Sequence, residues 1–286
     1  MQSNEKKLTG YPSIDRPWLK YYSMEAPERP IPEYTVYDFL LEKNKHYLDN
    51  IALSYFGSEI SFHELFENIE KAARAFSTIG VKEEDVVIMV AVTIPEIVYS
   101  IYALNRIGAI SNMIDPRTSA EGIKEYIAEV DAKYILILDS VYDKVMGIIE
   151  ETNVERVIVV SPGDALLKAK KIAYKVSNIK NLLCRKKDIC MKWRKFINAG
   201  KGHVVDIPSY TKNKCCLIVH TGGTTGIPKG VMLSNENLNA LVIQSIDTKI
   251  NMQRTHTWLD IMPPFIAYGF APAIGYRDEN NFNSPI

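Results

Sequence analysis

The chain has no surplus of charge, since 34 lysines and arginines face 34 aspartates and glutamates across 286 residues. A neutral balance gives no overall attraction to nucleic acid, and no recognition motif for it occurs. Cysteine is scarce. Cys184, Cys190, Cys215 and Cys216 show neither CxxC spacing nor a histidine pattern, so neither a disulfide framework nor a zinc site is indicated. A reducing, intracellular setting follows as the expectation. The opening "MQSNEKKLTGYPS" lacks the apolar segment of a secretory signal. The most apolar long stretch, Val86 to Leu104, is broken by Thr93, Pro95 and Glu96. It reads as a buried strand and then a helix starting near Pro95, not as a membrane span. The expected location is therefore cytoplasmic, with membrane contact at most from the side.

What remains is ordinary for a globular protein, with 47% hydrophobic and 24% charged residues. Residues 1–35 are rich in proline and aromatics and read as an extended lead-in lying on the surface. A helix capped by Thr35 follows, with Val36, Phe39, Leu40 and Tyr47 at helical spacing. "IALSYF" and "SEISF" form a hairpin through Gly57. Ser61 and Glu64 make a capping box for a helix ending at Gly80. Short apolar runs then alternate with helical periodicity: strands at Val86–Val92, "AISNMID", Tyr134–Leu138, Arg156–Val160 and Cys216–Val219. This alternation predicts an α/β fold, a doubly wound, mostly parallel sheet flanked by helices. Ligands of such sheets sit at the carboxyl ends of the strands.

Residues 166–201 stand apart. Twelve Lys or Arg against one acid, Asp188, give a local charge of +11 and leave −11 elsewhere. Leu166, Ala169, Ile172, Ala173, Val176, Ile179 and Leu183 recur at helical spacing, so the stretch reads as a basic insertion with an amphipathic helix. A solvated surface segment and a peripheral contact with an anionic membrane both remain open for it.

One segment cannot serve a core. "HTGGTTGIPKG", His220 to Gly230, follows the apolar run Cys215–Val219. Gly222, Gly223 and Gly226 permit positive φ and close approach of a ligand to the backbone. Exposed N–H groups there make an anion nest, Thr221, Thr224 and Thr225 add hydroxyls, and Lys229 adds a mobile charge. Together these groups suit a polyphosphate. A Walker A loop is excluded, because Lys229 is followed by Gly230 and preceded by Pro228. A dinucleotide fingerprint is excluded too, since the loop leads into "VML", a strand, before Ser234 caps the next helix. His203, His220 and His256 are scattered and read as structural or solvated, although His220 directly precedes the loop.

"IVHTGGTTGIPKGVMLSNENL" resembles the phosphate-binding signature of the adenylate-forming superfamily, with fatty acyl-CoA synthetases the nearest in style. "ISFHELFENIEKAARAF", "YALNRIGAISNMIDPRTSAEGIKEYIAEVDAKYIL" and "MPPFIAYGF" resemble further family segments in order and spacing, over about residues 30 to 270. The resemblance implies an AMP-binding N-terminal domain over 36–270 and a two-step ligase. ATP and a carboxylic acid give an acyl-adenylate, and coenzyme A takes the acyl group, with Mg2+ assisting. It also implies that Thr221, Thr224, Thr225 and Lys229 hold the β- and γ-phosphates, with Lys229 the catalytic cation. Phe265, Ile266, Tyr268 and Gly269 would line the substrate side. Ile266 stands where the family usually has histidine, and no "YGxTE"-like segment follows residue 270. The tail 271–286 is atypical. The chain is therefore expected to be the N-terminal part of a longer ligase, not completing the reaction itself. A nucleotide-binding module without catalysis and a membrane-associated scaffold are the alternatives. No residues present themselves as metal ligands, and nothing indicates an oligomeric state.

Overall fold

A computed structural model describes residues 8–22, 29–177, 189–221, 229–246, 248 and 256–266. In chain order its elements are α1 Pro12–Asp15, α2 Val36–Asn44, β1 Ile51–Tyr55, β2 Ser58–Ser61, α3 Phe62–Thr78, β3 Val86–Val90 and α4 Pro95–Arg106. Next come β4 Ile110–Ile114, α5 Ala120–Glu129, β5 Tyr134–Leu138, α6 Tyr142–Ile148, β6 Arg156–Val160 and α7 Lys168–Ser177. The series ends with β7 Cys190–Lys192, α8 Trp193–Ala199, β8 Cys215–His220, β9 Gly230–Ser234 and α9 Asn235–Ile246.

Seven strands form one sheet in the order β7-β6-β5-β3-β4-β8-β9. Every neighbouring pair is parallel except β8–β9. The central strands carry apolar side chains toward both faces, and Val87, Ile88, Met89 and Val90 are all fully buried, as strands covered by helices on each side require. The chain runs from β3 to β4 on one side and then back past β3 to β5. Right-handed crossovers in opposite directions put the connecting helices on opposite faces. Accordingly α4 packs with α2 and α3, and α5 with α6. The doubly wound expectation holds.

Local chemistry explains the element ends. Ser61 Oγ accepts from Glu64 N–H at 3.2 Å while Glu64 Oε2 accepts from Ser61 N–H at 2.9 Å, the capping box read from the sequence. Thr35 Oγ1 accepts from Asp38 N–H at 3.0 Å. The β1–β2 hairpin turns through Phe56 at φ 49° and Gly57 at φ 88°, two consecutive left-handed residues that match strand twist. The helix expected to reach Tyr47 stops at Asn44, whose buried amide donates back to Leu40 O at 2.6 Å. The strand expected to run to Val92 stops at Val90.

Two expectations need correction. The lead-in is not simply extended. Thr9 and Gly10 N–H both donate to the Asp15 carboxylate at 2.9 Å, closing a turn around α1, and a 3-10 turn follows over Pro17–Tyr21. Its apolar side chains Tyr11, Ile14, Trp18 and Tyr21 are exposed. The stretch 166–201 also divides. α7 is a surface helix, and residues 178–188 lie outside the described residues. By contrast β7 pairs in parallel with β6, and α8 packs on α3. Phe196 is fully buried, its ring 4.8 Å from Phe76 and 5.4 Å from Trp193. Gly200 sits so close to α3 that an added Cβ would lie 2.5 Å from Ala75 N. Residues 190–200 are thus sheet edge and core, with Lys192, Arg194 and Lys195 exposed beside the buried Phe196.

Candidate functional site: a closed hairpin loop at the carboxyl end of β8

The β8–β9 pair is antiparallel with His220 opposite Gly230, so the segment joining them leaves and rejoins the sheet at the carboxyl edge of the parallel strands. Two hydrogen bonds tie its ends. Thr221 N–H donates to Lys229 O at 3.1 Å, and Lys229 N–H donates to Thr221 Oγ1 at 3.2 Å. The Thr221 hydroxyl accepts in this contact, so its own proton is free to donate to another group. Thr221 and Lys229 are both exposed, which leaves the lysine ammonium accessible to an anion. Gly222, Gly223, Thr224, Thr225 and Gly226 lie outside the described residues. The structure therefore brings together the two ends of the sequence-predicted phosphate site and fixes where the loop emerges.

The base of the loop carries a polar contact that sequence reading passed over. His220 Nε2 lies 2.8 Å from Asn112 Oδ1, in the adjacent strand β4. Asn112 is fully buried, and the Tyr126 ring of α5 packs on the imidazole at 4.3 Å between centroids. An amide oxygen only accepts, so Nε2 carries the proton and Nδ1 is the acceptor. Nδ1 is buried with no hydrogen-bond partner among the described residues. Burial pushes the imidazole below the usual histidine range, with Glu129 opposing weakly. A neutral ring with one committed nitrogen orients the last residue before the loop. The signal in the sequence was Asn112 itself, a polar side chain in the apolar strand "ISNMI".

The substrate-side residues are only partly placed. Phe265 is half-buried against the core, and Ile266 is exposed, its N–H donating to Pro263 O at 3.1 Å. Tyr268 and Gly269 lie outside the described residues. Shortly before them, Leu259 and Asp260 help line an apolar cavity of about 340 Å3 with Leu53, Phe56, Ile94 and Val98. This hollow opens just past the end of β3, where the winding of the sheet reverses, a usual place for ligands. Burial there pushes the Asp260 carboxyl up to about 6, against a hydrogen bond from Met262 N–H. Among the described residues no group of three or more His, Cys, Asp or Glu side chains gathers to hold a metal. No described helix is long and apolar enough to cross a membrane.

Comparison with known proteins agrees with this geometry. The chain is 25% identical to a long-chain-fatty-acid–CoA ligase of Bacillus subtilis, over 93% of this chain and 49% of that protein. It is 28% identical to a probable 4-coumarate–CoA ligase of Dictyostelium discoideum, over 87% of the chain and 44% of the relative. Among solved structures, a long-chain-fatty-acid-CoA ligase from Archaeoglobus fulgidus superposes with a TM-score of 0.71 at 22% identity, covering 93% of this chain and 50% of that one. The chain thus spans about half the length of the curated relatives it matches. Residues 40–275 match the model of the AMP-binding enzyme family, and the chain belongs to that family.

Proposed function

We propose that the chain binds ATP through the β8–β9 loop and serves the activation of a carboxylic acid as the N-terminal part of an AMP-forming acid–CoA ligase. The observation that carries this reading is the closed loop base. Thr221 and Lys229 are held opposite each other at the carboxyl edge of the sheet, with a hydroxyl and an ammonium facing solvent. In the reaction, a carboxylate oxygen of the acid attacks the α-phosphorus of ATP and the bond to the β-phosphate oxygen breaks. Negative charge then grows on the departing pyrophosphate. Lys229 and the Thr221 hydroxyl, with Thr224, Thr225 and the N–H groups of Gly222, Gly223 and Gly226, stabilise that charge. In the second step the thiol of coenzyme A displaces AMP from the acyl carbon. Magnesium would enter with the nucleotide, held by its phosphates beside Lys229 and the Thr221 hydroxyl. Bound there, it would neutralise phosphate charge.

A fatty acid is the acid we favour, supported by the apolar Phe265–Ile266 segment and by the names of the B. subtilis and A. fulgidus relatives. The test is pyrophosphate exchange and acyl-adenylate formation by the chain with ATP, magnesium and matched panels of fatty and aromatic acids. ATP binding that weakens in Lys229→Ala, without exchange by this chain alone, is the expected result. Fatty-acid-dependent exchange would show that the chain completes adenylation by itself, and the absence of ATP binding would refute the reading.

Peripheral contact with an anionic membrane through α7 is a separate proposal. On that helix Ile172 is 65% exposed, while Lys170 and Lys171 reach back to Phe56 O and Asp164 O at 2.6 Å. An outward apolar side chain among cations is the pattern of a helix that lies on a lipid surface.

A further inference from the structure

A cavity of about 550 Å3 opens at the carboxyl ends of β5 and β6, well away from the phosphate loop. Three strand spacings separate β5 from β8 in the sheet order, and four separate β6 from it, or about 19 Å at the usual strand spacing. Two acids that the adenylation chemistry does not use line this cavity. Glu96 stands in the first turn of α4 and Asp139 immediately follows β5. They are 3% and 4% exposed. Glu96 Oε2 and Asp139 Oδ1 are both buried with no hydrogen-bond partner among the described residues, although Asp139 Oδ2 accepts from Ser161 Oγ at 2.6 Å.

Unpartnered buried carboxyl oxygens are costly, and native structures rarely keep them without a purpose. Here burial pushes the Glu96 carboxyl up to about 8, with Asp164 adding to the rise and Lys171 opposing it. Asp139 is raised by burial too, against hydrogen bonds from Ser161, Ser140 N–H and Tyr174 and the nearby charge of Lys192. Lys171 Nζ, the cation nearest in that balance, already donates to Asp164 O at 2.6 Å. The rest of the wall is apolar, from Ile60, Val159, Trp193 and Ile197. Lys192 and Arg194 also line it, so the cavity offers cations as well as acids.

We propose that this cavity is a second ligand site, for a small molecule whose ammonium group is held between Glu96 and Asp139 and whose apolar body lies against Trp193 and Ile197. The ammonium supplies charge-assisted donors to both unpartnered oxygens. Lys192 and Arg194 line the same cavity, so the carboxylate of an apolar amino acid finds a cation there as well, and such an amino acid is the fullest match to the lining.

The test uses three probes of one shape on the whole chain: phenethylammonium, L-phenylalanine, and 3-phenylpropionate, which lacks the ammonium. Calorimetry and thermal melting should show saturable binding of the first two and none of the third. Glu96→Gln and Asp139→Asn keep the side-chain shapes. Each should weaken binding tenfold or more, with circular dichroism and ATP affinity unchanged. Should one variant fail to fold, the other carries the comparison. Binding of 3-phenylpropionate as tight as that of phenethylammonium would overturn the proposal. So would unchanged affinity in both variants, or no binding of either amine up to roughly 10 mM, an affinity of only a few kcal/mol. Loss of ATP binding with amine binding intact would count against the phosphate loop instead.

Discussion

Thr221→Val tests the loop most sharply, because it replaces one hydroxyl by a methyl group on the same branched frame. Two effects add. Within the loop, Lys229 N–H loses its acceptor at 3.2 Å. Both residues are exposed, so water replaces that acceptor and the loss belongs at the low end of a net hydrogen bond, about 0.5 kcal/mol. Toward the nucleotide, a hydroxyl donating to a charged phosphate oxygen contributes about 1.5–3 kcal/mol. The sum, about 2–3.5 kcal/mol, predicts ATP binding weaker by roughly 30- to 300-fold. Thr221→Ser keeps the hydroxyl and should stay within about threefold of the parent, a difference near 0.6 kcal/mol. Lys229→Ala removes the charge but leaves the backbone pair intact, so it should fall between, at roughly 10- to 100-fold. Calorimetric titration with ATP at fixed salt reads all three. Equal affinities for parent and Thr221→Val would show that the hydroxyl faces no phosphate and would refute the assignment of the loop end. The same titrations at rising ionic strength separate the two losses, because the Lys229 contribution is screened and the hydroxyl contribution largely is not.

Other substitutions probe the frame. Phe196→Ala removes a fully buried ring from contact with Phe76 and Trp193, and urea denaturation should show a loss of about 3–5 kcal/mol, whereas Lys195→Ala should stay within about 0.5 kcal/mol. Glu96 titrates near 8 in the fold and near the ordinary carboxylate value when unfolded, so the unfolded chain binds fewer protons between those limits. Stability should therefore fall as pH rises from about 4.5 to about 8, and Glu96→Gln should flatten that slope in melts across the range. Ile172→Asp should reduce cosedimentation with phosphatidylserine vesicles at low salt and leave ATP affinity unchanged, and equal partitioning would remove α7 from any membrane contact.

The parts of the fold that could be read in advance are those where one residue type has one strong local role. Tyr134–Leu138 and Arg156–Val160 are strands with the predicted limits, because continuous apolar runs of four or five residues fit a strand buried on both faces. Ser61, Thr35 and Ser234 cap helices because a short hydroxyl side chain there satisfies N–H groups that the helix leaves free. β7 was illegible for the opposite reason. Three residues, Cys190 to Lys192, sit among cations and draw their stability from pairing with β6, which no local pattern shows. α8 did leave a trace, since Trp193, Phe196 and Ile197 stand at i, i+3 and i+4. Net charge masked it. The site divides along the same line. Loop chemistry is written in consecutive residues, but strand order alone sets Asn112 against His220 and brings Asp139 and Glu96 into the lining of one cavity.

That strand order also explains why the proposed phosphate-binding segment lies where it does. After β3, β4 and β5 the chain enters helices, and the backbone N–H groups beyond the first turn are used within those helices. After β8 it reverses instead into β9, the one antiparallel neighbour in the sheet. A hairpin needs only its ends joined, and here Thr221 and Lys229 join them. Gly230, opposite His220, would bring an added Cβ to 3.3 Å from Ile218 Cγ2 and 3.5 Å from the imidazole, so the strand passes close over the ring. Asn112 in turn holds that ring from β4. Fixed ends beside a buried strand, with three glycines and two threonines between them in the sequence, give the proposed phosphate donors a rigid base. Such a base limits how much order a polyphosphate must impose on binding, and that reduces the entropic cost of holding it.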